Sequence, residues 1–496
     1  MKAAEVFLLI IAESTARGNV MSNTSPIKFG TDGWRGLIAR DFTFDNVAVC
    51  AAAYARYLKE SGLAGKGVVV GYDTRFLSDE FARETAAVLT AAGIHVTLSN
   101  CAVPTPTVSF STLHRNSGGA VVITASHNPA QWNGFKVKSP TGSSASSDVV
   151  AAIEKHVGDL YQSGERPVRL DLKQAADKGL FEYADLTPPY LEQLGKLVDL
   201  NKLRRGKAKI VVDSMHGAGA GFFRRLLGDD YPLIEIKGEP NPAFPGMHQP
   251  EPIAPNLREL ETRVVTERAD IGLATDGDAD RLGATDENGN FLTQLQVISL
   301  LAMYLLDTRG EKGAIVKTIT TSRMLDKLGK LYGVPVFETP VGFKYIAPLM
   351  QRENAIIGGE ESGGYGFRNH VLERDAVLAG LYFLDFIALT GKKPSELLAE
   401  LYDKVGPHHY HRIDVTFDET ERQKVLERLK AAAPDTIDGD RVKKDTLDGF
   451  RFTLGDGSWL LVRASGTEPL LRIYAETDSM ERVNRLLDAG KKIAGV

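Results

Sequence analysis

Cysteine is nearly absent: Cys50 and Cys101 are the only two in 496 residues. A disulfide-stapled architecture is therefore excluded, and both thiols, lying near apolar sequence, read as buried groups in a reducing, cytoplasmic compartment. No apolar run approaches the ~20 residues that span a bilayer, so no membrane partner is expected. An excess of one charge is missing too. The formal net charge is −5, which argues against wholesale nucleic-acid binding. With 43% apolar and 25% charged residues the chain is an ordinary globular one, too long for a single core, and its length predicts three or four domains. The segment Val6-Phe7-Leu8-Leu9-Ile10-Ile11-Ala12 faintly resembles a signal-peptide core, but Glu5 and Glu13 bracket it. Residues 1–25 are read as a disordered extension, with residues 1–20 either part of it or a misassigned start before Met21.

Chemistry concentrates in four segments. Thr124-Ala125-Ser126-His127-Asn128-Pro129 follows the apolar run Ala120-Val121-Val122-Ile123. A serine thus stands where a buried strand ends, and Pro129 stops any regular continuation. Such a hydroxyl suits a nucleophile or a phosphoryl carrier, although Ser-His-Asn-Pro is also plain turn chemistry. Asp276-Gly277-Asp278-Ala279-Asp280-Arg281 ends the strand Ile271-Gly272-Leu273-Ala274. Three carboxylates at alternate positions repel one another unless a cation sits between them, and oxygen-only ligation suits magnesium or calcium. An EF-hand fails, because its sixth position is Arg281 where glycine is needed and the flanks read as strands. Gly358-Gly359-Glu360-Glu361-Ser362-Gly363-Gly364 lets backbone approach a ligand while Glu360 and Ser362 offer an acceptor and a hydroxyl, fit to grip neighbouring sugar hydroxyls. Arg463-Ala464-Ser465-Gly466-Thr467-Glu468-Pro469 supplies a guanidinium, two hydroxyls and free backbone N–H groups, a phosphate cradle without a catalytic group. Each of the last two, alone, also reads as an ordinary loop.

Taken in order, and with the opening Phe29-Gly30-Thr31-Asp32-Gly33-Trp34-Arg35-Gly36, these segments resemble the α-D-phosphohexomutase family. The resemblance runs from about residue 26 to the C-terminus. It implies that Ser126 is phosphorylated in the resting enzyme and completes a magnesium site with Asp276, Asp278 and Asp280. It implies sugar contacts from Glu360 and Ser362, and a site for the non-reacting phosphate at Arg463, Ser465, Gly466 and Thr467. Arg35 and Lys136 match basic residues beside the phosphoserine, and His127 is expected to position Ser126. Arg281, Gly342 and Lys344 (in the Gly342-Phe343-Lys344 loop) are placed with the substrate contacts. Many relatives carry histidine where this chain has Gly364, and His370 is expected to supply that imidazole. The implied reaction is reversible phosphoryl transfer between O1 and O6 of a hexose phosphate, with Mg2+ and glucose 1,6-bisphosphate as cofactor and activator. Glucose phosphate is the first choice of substrate. Phosphomannomutase and phosphoglucosamine mutase are alternatives, as are a phosphosugar phosphatase and a non-catalytic phosphosugar-binding relative. A monomer or weak dimer is expected.

Strand, helix, glycine and strand recur from Val68, Ile210 and Ala314, which predicts three related α/β units. The tail reads differently: a strand over 413–417, a helix over 420–433, three strands between 450 and 477 and a helix over 480–494. The expected fold is four domains around a central cleft, three mixed α/β units and a C-terminal antiparallel α+β cap. Boundaries are drawn at 26–184, 185–290, 291–405 and 406–496. His408, His409 and His411 follow Gly406-Pro407 at a junction and, lacking a carboxylate cluster, are not read as metal ligands. Ser-His-Asp hydrolysis is disfavoured, since no Gly-x-Ser-x-Gly elbow surrounds Ser126.

Overall fold

The computed structural model describes residues 25, 27–30, 32–464 and 470–496; Ser465, Gly466, Thr467 and the expected extension through residue 24 lie outside them. The first sheet contains β1 (Trp34–Leu37), β2 (Val68–Tyr72), β3 (Val96–Ser99), β4 (Ala120–Ile123), β5 (Trp132–Lys138) and β6 (Phe181–Ala184), in the order β1-β5-β4-β2-β3-β6. The second contains β7 (Ile210–Asp213), β8 (Leu233–Ile236), β9 (Ile271–Thr275), β10 (Leu282–Thr285) and β11 (Phe291–Leu292), ordered β11-β10-β9-β7-β8. The third is β13-β12-β14-β15, formed by β12 (Ile315–Thr318), β13 (Val336–Thr339), β14 (Ile357–Gly359) and β15 (Tyr365–Phe367).

These three sheets share one plan. A central strand (β2, β7 or β12) has a parallel neighbour on each side, and the later neighbour (β4, β9 or β14) turns back into an antiparallel partner (β5, β10 or β15). Strands such as Ala-Val-Val-Ile (β4) and Ile-Val-Val-Asp (β7) are buried at every residue, as parallel strands covered by helices on both faces must be. The turn after β4 carries Ser126, the turn after β9 the three aspartates and the turn after β14 Glu360. The plan therefore delivers one polar loop per unit at the same topological position.

The fourth sheet is antiparallel, β16-β21-β20-β19-β18-β17, from β16 (His409–Thr416), β17 (Thr436–Ile437), β18 (Asp440–Asp445), β19 (Phe450–Leu454), β20 (Trp459–Ala464) and β21 (Leu470–Thr477). Its β16 alternates between partly buried and exposed residues over Ile413–Thr416, and the helix Met480–Ala494 packs on the sheet through Val483, Leu486 and Leu487. The strand β18 was not expected: Asp-Arg-Val-Lys-Lys-Asp is too charged to read as a strand and pairs near the sheet edge.

Cores do not divide as units do. The first and fourth units have their own clusters, but the second and third share one, in which Ile210 and Leu273 join Ile315 and Ile357. The helix Ala376–Thr390, buried from Ala376 to Ile387, belongs to that shared core, and Asp375 caps its N-terminus by accepting from Leu378 N–H at 2.9 Å. Among the described residues no helix is long and apolar enough to cross a membrane. Cys50 is buried as expected, whereas Cys101 is exposed, because it sits in the turn beyond β3 and not on the strand.

Candidate active site

Ser126 is buried at the end of β4 with φ 53°, a left-handed conformation that costs a non-glycine residue of order 1 kcal/mol. Its N–H donates to Thr124 Oγ1 at 2.8 Å and its Oγ to Asp276 Oδ2 at 3.0 Å, while His127 Nδ1 lies 3.4 Å from Oγ. The serine loop and the aspartate loop approach so closely that a Cβ on Gly277 would sit 2.6 Å from Ser126 O. Only glycine fits there. Burial and the charges of Arg281, Arg35, Arg75 and Lys136 push the His127 imidazole well below its usual range, so at neutral pH it is uncharged.

Asp276, Asp278 and Asp280 are fully buried and each offers a carboxylate oxygen within 4.8 Å of the others. Asp276 Oδ1 accepts from Asp280 and Arg281 N–H at 2.9 and 3.1 Å, which orients the turn. Asp278 Oδ2 accepts from Thr105 Oγ1 at 2.6 Å and from Lys136 Nζ at 2.9 Å. Oδ1 of Asp278 and Oδ1 of Asp280 are buried and accept no hydrogen bond. Buried carboxylate oxygens without donors, converging on one point, suit a hard divalent cation. Burial and mutual repulsion raise the Asp276 carboxyl, and burial raises that of Asp280. Asp278 goes the other way: burial opposes ionisation, but Lys136, Thr105 and Arg374 outweigh it.

The cations beside this cluster come from three units. Lys136, on β5, reaches Asp32 Oδ2 and Asp278 Oδ2 at 2.9 Å and Asp280 Oδ2 at 3.5 Å. Arg374, just before the buried helix, reaches Asp32 at 2.6 Å, Asp280 at 2.8 Å, Glu373 at 3.3 Å and Glu360 at 3.5 Å. Lys138 ties the same network to Glu373 at 2.5 Å. Arg35 Nη1 donates to Asn128 Oδ1 at 2.6 Å, and Arg281 pairs with Glu251 at 3.1 Å. The structure thus gathers Ser126, His127, Arg35, Lys136, the three aspartates, Arg281 and Glu360 into one connected cluster.

Other expected residues fall elsewhere. His370 is buried, its ring stacked 5.9 Å from that of Phe110 and its Nε2 2.9 Å from Asp375 Oδ2, a carboxylate that also accepts from Tyr190 OH. This is the packing of a core histidine, so His370 does not supply the expected imidazole. The reason lies at Gly364, where a Cβ would be 2.2 Å from Arg374 Cδ: the arginine stem fills the space a side chain there would need. Gly342 caps, and Lys344 lies within, the helix Phe343–Glu353, so the expected loop is a helix start; Lys344 Nζ lies over the Tyr345 ring at 5.2 Å. Ser362 is half-buried and its neighbour Glu361 accepts from Tyr410 OH of the cap at 2.7 Å. Arg463 Nη2 pairs with Asp448 at 2.8 Å, and Asp448 also accepts from Val341 N–H at 2.8 Å, which links the cap to the segment before Gly342. His408 is a junction group, its Nδ1 3.0 Å from Glu476 and its Nε2 2.9 Å from Lys327 Nζ.

Sequence reading missed Asp32, Arg75, Thr105, Glu251, Glu373 and Arg374. A usable signal existed for two of them. Glu373-Arg374-Asp375 stands directly before twelve buried residues, where free charges are untenable unless they meet partners.

A serine set against a buried carboxylate triad, with one polar loop at the same place in each of three α/β units, defines an enzyme-like site, and comparison with known proteins makes its class specific. Phosphoglucomutase/phosphomannomutase alpha/beta/alpha domains I, II and III match residues 26–163, 188–289 and 294–405, and the C-terminal domain of the same proteins matches 415–492. A Thermococcus kodakarensis protein named phosphoglucomutase/phosphomannomutase is 34% identical over 468 residues, covering 94% of this chain and 98% of that one. A Methanosphaera stadtmanae protein provisionally named phosphoglucosamine mutase is 32% identical over 466 residues, covering 93% and 96%. Among solved structures, a provisionally named phosphomannomutase from Thermus thermophilus has a TM-score of 0.82 at 38% identity, covering 95% of this chain and 100% of that one. The chain belongs to the phosphoglucomutase/phosphomannomutase family of phosphohexomutases.

Proposed function

We propose that this phosphohexomutase interconverts hexose 1-phosphate and 6-phosphate through a phosphoryl group carried on Ser126. The single observation that supports it best is the contact of Ser126 Oγ with Asp276 inside a cluster of buried carboxylates, among which Asp278 Oδ1 and Asp280 Oδ1 accept no hydrogen bond. Asp276, Asp278 and Asp280 would hold magnesium, which when bound neutralises charge on the transferring phosphoryl group. In the forward direction a sugar hydroxyl oxygen attacks phosphorus, the bond to Ser126 Oγ breaks, and the hydroxyl proton leaves to a base. After the resulting 1,6-bisphosphate turns over, Ser126 Oγ attacks the other phosphoryl group, and the sugar oxygen that leaves takes up a proton. Positioning and charge neutralisation carry such transfers, and Lys136, Arg35 and Arg281, which belong to the same connected cluster as Ser126, would supply the positive charge.

His127, uncharged and 3.4 Å from Oγ, acts as a hydrogen-bonding neighbour that aims the serine. Glu360 grips the sugar hydroxyls with Ser362, while Arg374, paired with both Glu360 and Asp280, brings the sugar loop to the aspartate loop. Arg463, with Ser465, Gly466 and Thr467, holds whichever phosphate is not reacting, in either orientation of the sugar. Glucose phosphate is our first choice, because the sugar loop carries Gly-Glu-Glu-Ser and no imidazole at 364; mannose and glucosamine phosphates are the alternatives that the named relatives raise.

The test is direct. Purified enzyme with magnesium and a trace of glucose 1,6-bisphosphate is given glucose, mannose and glucosamine 1-phosphates in parallel. Sugar 6-phosphate is the expected product, with glucose turned over at the highest kcat/KM. Free phosphate would establish a phosphatase, and no turnover of any of the three would refute the reading.

A further inference from the structure

We infer that Arg75 is a positioning residue for the phosphoryl carrier, holding the Ser126 loop in its left-handed turn and against the aspartate loop of the second unit. The inference rests on the reading of Ser126 as that carrier. Arg75 follows β2, in the Asp73-Thr74-Arg75 turn beside the serine loop, and is only 3% exposed. Its Nη2 donates to the carbonyl oxygens of Ser126 and Asn128, both at 2.6 Å. Its Nη1 donates to those of Pro129 and Trp132, at 2.9 and 3.0 Å. Its Nε lies 3.1 Å from Asp73 Oδ2. Asp73 is itself fixed, since its Oδ1 accepts from Arg75 N–H at 3.0 Å and Ser78 Oγ at 2.8 Å.

One guanidinium therefore commits its four terminal N–H donors to four backbone carbonyls and balances its charge against one carboxylate. Of these carbonyls that of Ser126 is buried and the other three are part-buried, and only Pro129 O also accepts a bond within the turn, from Trp132 N–H at 3.0 Å, so Arg75 is the side chain that ties the segment between β4 and β5 together. The second unit adds its own contacts. The Phe244 ring lies 5.1 Å from the Arg75 guanidinium, and Ser126 O, already held by Arg75, is the nearest atom a Cβ on Gly277 would meet. Rotating the Ser126 peptide would break the Nη2 bond and swing Oγ away from Asp276. Lysine cannot replace the clamp, because a single ammonium lacks the planar fork that spans four carbonyls.

Arg75 touches neither the sugar loop nor the cap, so its loss should act on the serine and not on substrate affinity. The experiment uses the full-length enzyme with magnesium, comparing wild type, Arg75→Lys, Arg75→Ala and Ser126→Ala. Transfer from glucose 1,6-bisphosphate to Ser126 is followed by rapid quench and intact mass, beside steady-state kcat and KM. Misplacing a reacting group by about 1 Å costs about a hundredfold, so serine phosphorylation and kcat should both fall by about that factor in Arg75→Lys, with KM within about threefold of wild type. Added guanidinium ion should recover part of the Arg75→Ala rate and none of the Arg75→Lys rate. Should Arg75→Ala not fold, Arg75→Lys, which keeps a cation for Asp73, carries the test. Wild-type labelling and kcat in a folded Arg75→Lys variant, or KM rising as far as kcat falls, would overturn the inference. Labelling of Ser126→Ala would instead overturn the carrier reading itself.

Discussion

Replacing Asp278 with asparagine removes one negative charge from the centre of the site while leaving the volume unchanged. Asp278 is fully buried; one oxygen serves Thr105 and Lys136, and the other faces the carboxylate cluster without a donor. An asparagine that keeps its oxygen toward Thr105 and Lys136 turns its NH2 to the position of the bare oxygen, where it repels a cation. The fold should tolerate this, because Lys136 keeps Asp32 at 2.9 Å and Asp280 at 3.5 Å. The cost in stability should therefore stay below the ~3–5 kcal/mol of stranding a buried charge. Turnover should suffer more. Losing one fixed electrostatic contact to a transferring group typically costs about 2.7–4 kcal/mol, or 10²–10³ in kcat. The assay converts glucose 1-phosphate to 6-phosphate over a magnesium titration, with calorimetric magnesium affinity and Tm measured on the same sample. A near-native Tm, weakened magnesium binding and kcat lowered at least about a hundredfold are expected. An Asp278→Asn enzyme that turns over normally in EDTA would refute the metal assignment.

Three further outcomes are expected. Incubation with glucose 1,6-bisphosphate should add one phosphoryl group to the intact mass of wild type and none to Ser126→Ala; full activity and labelling of the variant would exclude the phosphoserine route. Arg463→Ala should raise KM for the 1-phosphate and the 6-phosphate alike by about 2–3 kcal/mol, from charge-assisted bonds lost to the non-reacting phosphate, and unchanged KM for both in a folded variant would remove Arg463 from the phosphate site. Glu476 bears on acid stability: burial pushes its carboxyl up, but bonds from His408, Ser322 and Arg323 N–H hold it below its ordinary value. A carboxyl lowered on folding contributes stability that is complete above its unfolded pKa of about 4.3 and lost as pH falls through the folded value. Glu476→Gln should thus melt lower than wild type at pH 7 yet lose less on acidification below about pH 4.3, and parallel Tm profiles for the two would contradict the linkage.

The legible part of this protein was legible for a physical reason. A parallel strand buried on both faces must be written in apolar residues, so Ala120–Ile123, Ile210–Asp213 and Ile271–Thr275 stand out from the sequence, and the polar residues that follow them stand out by contrast. Because the turn after β4, after β9 and after β14 recurs at one place in one plan, three of the four chemical segments fall directly after such strands. Helices with side-chain caps were equally plain, as at Met480–Ala494, where Ser479 accepts from Arg482 N–H. The cap strand β18 was hidden because a strand next to the sheet edge, with one face in water, has no apolar run to show.

What stayed hidden is the wiring between the loops. Arg374 and Asp32 meet at 2.6 Å across 342 residues of sequence, and although the apolar helix after Arg374 shows that its charge needs a partner, nothing in either segment says which. Local pattern reports what a residue does for its own strand or turn; it is silent on a charge whose partner arrives from another unit. The misplaced imidazole follows the same logic. His370 was read as a site residue because it trails the sugar loop by a few positions, yet Asp375, needed to cap the buried helix, draws the ring inward against Phe110 and Tyr190. Arg374, one residue before that cap, is thereby turned the opposite way, over Gly364 and toward Asp280. The start of one apolar helix thus decides which of two basic side chains enters the site, and Gly364 lacks a side chain because the arginine takes the room.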